Sequence, residues 1–160
     1  MENKKIKLLR IAYNDLGHGG IQSHFMNVTR LLSDKVDSDI IIWSSKPGYY
    51  YEEFKKYGKV FMCPCYEGKS KVLKVLDFYF RYPKLKRFVK KVIKENGPYD
   101  AVHCHKFFEC APCLAAAYKC NVPVRIAQSH NTEPVNRKDG IKNKIRKFYY
   151  GICRKKIHKY

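Results

Sequence analysis

Residues 6–13 read IKLLRIAY, a short apolar run with one basic break, and predict a strand entering a covered sheet. The glycine-rich turn LGHGG follows at 16–20. Ile21, Phe25, Val28, Leu31 and Leu32 then recur at three- and four-residue spacing, which places them on one face of a helix. Residues 39–44, DIIIWS, predict a second strand, bounded by Asp37-Ser38 before it and Pro47-Gly48 after it. Val60, Phe61 and Met62 form a short strand candidate that ends at Pro64; the stretch 46–70 carries the fewest signals. Leu85, Phe88, Val89, Val92 and Ile93 predict an amphipathic helix whose outer face is Lys84, Lys86, Arg87, Lys90, Lys91 and Lys94. Asn96-Gly97-Pro98 stops it, because glycine suits the C-cap and proline cannot continue the ladder. The apolar pair Ala101-Val102 leads into His103-Cys104-His105. An alanine-rich helix over 108–119 and a strand over 122–128 come next, and Ile141, Ile145, Phe148, Tyr149 and Ile152 space as a closing helix.

This alternation of strands and helices predicts an α/β chain: a Rossmann-like parallel sheet with helices on both faces. Ligands in such sheets sit beyond the carboxyl ends of the strands. That rule selects the loops 14–20, 103–109 and 129–136, and all three contain histidine.

At 160 residues and 18.9 kDa the chain has the size of one domain, and a hydrophobic fraction of 45% excludes wholesale disorder. No stretch approaches the ~18 apolar residues of a membrane span. The N-terminus lacks the apolar core and small-residue cleavage site of a signal peptide, so a cytoplasmic location is expected. The net charge of +19 is concentrated: residues 69–96 contribute +8 and residues 137–160 contribute +9. Two solvated helix faces account for such runs, as does a surface attracted to anionic lipid, nucleic acid or phosphorylated substrates. Without a secretory signal, the seven cysteines read as buried thiols unless a site explains them.

The turn Gly17-His18-Gly19-Gly20 lies between the first strand and the first helix. Glycines allow close backbone approach, and the helix start offers unpaired N–H groups with partial positive charge, so the combination suits a phosphate. It is neither the spaced G-x-G-x-x-G of dinucleotide binders nor a P-loop, and a tight turn without a ligand is the plain alternative. His103 and His105 share a side if the strand continues, and His130 stands in the same relation to its own strand. Each is ordinarily a hydrogen-bonded structural residue, but a histidine there is placed to bond a sugar hydroxyl or phosphate, or to pass a proton. Cys110-Ala-Pro-Cys113 has dithiol spacing but comes late in the chain, without the usual preceding Trp. Cys63, Cys65, His103, Cys104, Cys110 and Cys113 are zinc-ligand types, yet no second C-x-x-C completes a ribbon, and no metal is expected. Aromatics lie among the basic residues at Phe78, Tyr79, Phe80 and Tyr82, but no readout element for nucleic acid accompanies them.

Four pieces in order resemble the N-terminal domain of family 4 glycosyltransferases, retaining enzymes of GT-B fold. They are LGHGGIQSHFMNVTRLL (16–32), similar to the family's G-G-x-E/Q opening; YDAVHCH (99–105), similar to its D-x-V-H-x-H strand end; the alanine-rich helix; and VPVRIAQSHNTE (122–133), similar to its V-P-x-I…H-x-T strand. The tail IRKFYYGICRKKIHKY (145–160) resembles the helix that leads to the second domain. Within the family the pattern is most similar to bacterial capsule and exopolysaccharide transferases. The resemblance implies that Gly19 and Gly20 set backbone N–H groups against the diphosphate of a nucleotide-sugar donor, and that His130 meets the donor sugar near the reacting carbon. It further implies that Gln22 and His105 line the acceptor side, facing a glycan or lipid-linked acceptor, with no cofactor besides the donor substrate. The basic helix 84–94 would match a face pressed to the inner surface of an anionic membrane. In the family, nucleotide binding and an E-x7-E pair belong to a second Rossmann-like domain. The glutamates of this chain include no such pair, so residues 1–160 are expected to be the acceptor-side half of a GT-B enzyme. Such a half is expected to be inactive alone, with its partner domain supplied in cis or in trans. The competing reading is a non-enzymatic basic module on anionic membrane or nucleic acid.

Overall fold

A computed structural model describes residues 4–12, 15–64, 71–105, 110–130, 141–157 and 159–160, with the side chains of 71–79 and 141–146 outside that description. Ten elements follow one another: β1 (Ile6–Ala12), α1 (Gly20–Leu31), β2 (Val36–Ile42), α2 (Tyr51–Phe54), β3 (Val60–Met62), α3 (Lys71–Asn96), β4 (Ala101–Cys104), α4 (Cys110–Lys119), β5 (Val124–Ala127) and α5 (Ile141–Ile157). The strands form one parallel sheet in the order β3-β2-β1-β4-β5. The chain therefore builds outward from β1 in one direction, then crosses back to lay β4 and β5 on its other side. That reversal is the switch point of a Rossmann-like sheet, and it falls between β1 and β4.

Period-2 alternation divides the strand residues between two cores. Leu9, Ile11, Ile41, Val102 and Cys104 pack with Leu85, Val89, Val92 and Ile93 of α3 and with Cys110, Cys113 and Leu114 of α4. On the opposite face Ile40 and Ile42 pack with Phe25 and Met26 of α1 and with Phe54 of α2. Residues Cys110–Ala117 of α4 are buried along their whole length, since α5 adds Cys153 against Ala111 on the side away from the sheet. Small side chains are what such a confined helix accommodates, which accounts for its alanines.

Four elements differ from the sequence reading. β2 begins at Val36 and takes in Asp37-Ser38, which read as its boundary, because β1 pairs with it from Ile6 opposite Val36 onward. Asp39 is buried, with Oδ1 accepting from the Lys59 N–H at 2.8 Å and Oδ2 from the Tyr99 hydroxyl at 2.6 Å. Burial and that carboxylate push the Tyr99 phenol far above its ordinary value. The helix expected around 84–94 starts at Lys71 and carries Pro83 within it, so a lost backbone bond did not stop it. The short helix α2 has no counterpart in the reading, and the closing helix extends to Ile157. The stop at Asn96 agrees, with the Gly97 N–H closing onto the Ile93 carbonyl at 2.8 Å. Among the described residues no helix is long and apolar enough to cross a membrane.

Candidate functional site

All five strands run parallel, so their carboxyl ends share one rim, and the chain leaves β1, β4 and β5 there. After β1 the chain turns through Leu16 in the left-handed region (φ 62°), and the Gly17 N–H bonds the Asp15 carboxylate at 3.0 Å. Gly19 caps α1 in extended conformation with no side-chain cap bond, and no acidic residue occupies the first turn. The first N–H groups of this 12-residue helix are therefore left without a side-chain acceptor, at its positive end. A methyl group at Gly20 would meet nothing within 4 Å, so packing within the chain does not require glycine there; the open space lies on the rim. At Gly19 the same methyl would collide with the Gln22 amide, which folds back over the turn. Gly48 has the opposite character: a Cβ would run into the backbone of Asp15, Leu16 and Gly17. That contact, with the Tyr50 N–H bonding the Leu16 carbonyl at 2.8 Å, clamps the loop after β2 onto the glycine turn. His18 lies against the exposed ring of Tyr49 at 3.6 Å between centroids on the same loop.

Across the switch point stand three imidazoles. His105 follows β4 directly, its N–H bonded to the Ile11 carbonyl of β1 at 3.0 Å, which holds it on the same side as His103. The two rings are 3.9 Å apart. His130, three residues past β5, lies parallel to His105 at 5.6 Å and 10°, and His105 Nδ1 faces His130 Nε2 at 3.4 Å. Phe25, in the second turn of α1, meets His105 edge-on at 5.0 Å and so ties the glycine-initiated helix to the histidines. The structure thus brings Gly19, Gly20, Gln22, His105 and His130 to a single rim.

The electrostatics of this rim are one-sided. Burial, then Arg10, hold the His103 imidazole below its ordinary value, against which the Gln128 side chain works. Burial first, then His103, His130, Arg10 and His24, push His105 down to about 3. Both imidazoles are therefore neutral at pH 7, and Nε2 of each is buried without a partner. Neutral imidazoles, open helix N–H groups and an absence of acidic residues from the first turn suit a ligand that combines hydroxyl groups with negative charge.

Sequence reasoning passed over Arg10, Phe25 and His24 as parts of this site. The signal for Arg10 was the basic break in an otherwise apolar strand. Among the described residues no group of three His, Cys, Asp or Glu could hold a metal ion. Of the described cysteines, Cys63, Cys104, Cys110, Cys113 and Cys153 are buried and Cys120 is half-buried; Cys65 and loop residues 106–109 and 131–136 lie outside the described residues. The 110–113 pair starts α4 inside the core, as an inert reading of these thiols requires.

The backbone is similar to two solved structures of the C-terminal domain of PF1911 hydrogenase from Pyrococcus furiosus. One matches with a TM-score of 0.53 at 14% identity, covering 78% of this chain and 92% of that one. The other gives 0.50 at 13%, with 77% and 91% covered. At such identities the likeness is one of fold. The "Putative glycosyltransferase EpsF" of Bacillus subtilis (strain 168) is 32% identical over 134 residues, which are 82% of this chain. The chain spans 32% of the length of that relative. The family model of Glycosyltransferase Family 4 matches residues 18–160, from the glycine turn through all three histidine-bearing loops to the last helix. On that match and that relative, the chain belongs to glycosyltransferase family 4.

Proposed function

We propose that this chain is the acceptor-side half of a glycosyltransferase that moves a sugar from a nucleotide-sugar donor to a glycan or lipid-linked acceptor in surface polysaccharide synthesis. The observation that carries the reading is the pairing, across one switch point, of an uncapped glycine-initiated helix with a stack of imidazoles. In transfer, the bond between the anomeric carbon and the diphosphate oxygen breaks, and charge collects on the departing diphosphate. The N–H groups at Gly19 and Gly20 stabilise that charge through short bonds and the helix dipole. His130, exposed at the rim, meets the donor sugar near the reacting carbon, while His105 and Gln22 face the acceptor. The reading assigns no resident cofactor and no metal.

A second domain, in cis or in trans, supplies the nucleotide-binding surface, so the 160-residue chain alone has little or no transferase activity. The protein works in the cytoplasm, at the inner face of the membrane, through the basic face of α3. His130→Ala in the complete enzyme is expected to lower kcat about a hundredfold or more while leaving the thermal midpoint within a degree or two. Unchanged turnover would remove His130 from the site.

A further inference from the structure

Arg10 is the one long cation of β1 directed into the interior, and it is 4% exposed. Among the described residues no carboxylate pairs with it. Its Nη1 donates to Thr29 Oγ1 at 2.7 Å and to the Phe25 carbonyl at 3.4 Å, while its Nε has no partner. Burial lowers the guanidinium to about 10, so it stays charged at pH 7. An unpaired buried cation is costly, and a methionine or leucine would fill the same space without that cost. A fold-only role therefore does not explain it.

Its surroundings do. The guanidinium lies over the Phe25 ring, 4.6 Å from the centroid, and His105 meets that ring edge-on. In the β1–β4 register Arg10 is directly opposite His103. Arg10 and Phe25 thus form the floor beneath the His103–His105–His130 stack. The 3.4 Å contact between His105 Nδ1 and His130 Nε2 holds when one nitrogen donates and the other accepts. Two imidazolium rings would set N–H against N–H and break it.

We propose that Arg10 is a positioning residue of the transfer site: its sealed guanidinium, opposite His103 across the strand pair and against Phe25 beside His105, holds these two rings in place for the contact with His130 and adds to the burial that disfavours a proton on them. The proposal rests on the reading of His105 and His130 as site residues. Among the described residues, the groups that face the stack are Arg10 from β1, His24 and Phe25 from α1, and Gln128 beside His103 after β5. All the charged or ionisable ones among these are bases, so removing the permanent cation eases protonation.

Imidazole titration by NMR on the 160-residue chain tests this without reference to turnover. Arg10→Met, which keeps the stem and loses the charge, is expected to raise the midpoints of His103 and His105 by about one pH unit. It should leave thermal stability equal or higher, since a buried unpaired charge has gone. Arg10→Lys, which keeps the charge, is expected to hold the midpoints near those of the parent. Phe25→Leu, which keeps the cation and removes the ring, should weaken the His105–His130 ring contact while His103 titrates as before. Midpoints that do not move in Arg10→Met overturn the proposal, as does Arg10→Lys shifting them as far as Met does. Should Arg10→Met fail to fold, a structural role is indicated unless Arg10→Lys folds with parental midpoints and Phe25→Leu loses the ring contact. Because these readouts are independent of catalysis, the two failures are distinguishable: an inactive complete enzyme with the expected titrations would sink the transferase reading and leave only the action of Arg10 on the imidazoles.

Discussion

His105 is acted on, among the described residues, by bases alone, and burial adds to their effect. Its proton affinity in the folded chain, at about 3, lies well below the ordinary 6.5 it regains on unfolding. Between those values the unfolded chain binds a proton that the folded chain refuses, so stability rises with pH across that window. The stabilisation is complete above about pH 6.5 and drains away as the pH falls toward 3. The expected outcome is a thermal midpoint that drops steadily from pH 7 to pH 4, followed by circular dichroism. His105→Asn should flatten that slope, and an equally steep slope in the variant would show that other groups cause it. At this scale the sequence was partly legible. Histidine after three strands marked the rim, but that His103 and His105 would be neutral depended first on their burial and then on neighbours such as Arg10 that are distant in sequence.

Among the elements, the glycine turn and α1 were readable because their signals are local: the glycines adjoin each other, and the apolar spacing of α1 lies within 12 residues. β2 was read three residues short at its start, since Asp37 and Ser38 look like turn residues until Ile6, Lys7 and Leu8 of β1 pair with Val36, Asp37 and Ser38. The first half of α3 was hidden behind Pro83, whose penalty tertiary packing outweighed. The two kinds of glycine at the rim lead to opposite expectations. Gly48→Ala drives a methyl into backbone that cannot retreat, and should cost about 2 kcal/mol or more by denaturant unfolding. Gly20→Ala meets open space and should leave stability unchanged or slightly raised, yet lower turnover of the complete enzyme about tenfold by crowding the diphosphate. Equal effects of the two substitutions on stability would refute this distinction.

Over the whole molecule, the +19 charge has a structural address. Arg87, Lys91 and Lys94 are exposed on the outer face of α3, where Lys91 reaches Glu95 at 3.9 Å, and Arg154 and Lys155 are exposed on α5. Each exposed cation near an anionic surface contributes roughly 1 kcal/mol, falling off within a Debye length of about 8 Å at physiological salt. The chain is therefore expected to sediment with vesicles containing about 30% anionic phospholipid at low salt, and to be released as salt rises. Binding to neutral vesicles of equal strength, or none at low salt, would remove the membrane from the proposal. Tight sequence-selective binding of an oligonucleotide would instead revive the reading of a non-enzymatic module.

Hydrophobic periodicity by itself determined the kinds of elements and their alternation, because helix and strand periods are properties of a few consecutive residues. The order of the strands was decided only in three dimensions. Alternation does not say on which side of β1 the fourth strand will pair, and that choice places His105 beside Phe25 and His103 opposite Arg10. Long-range pairing turned a basic break in a strand into a buried charge, and three scattered histidines into one stack.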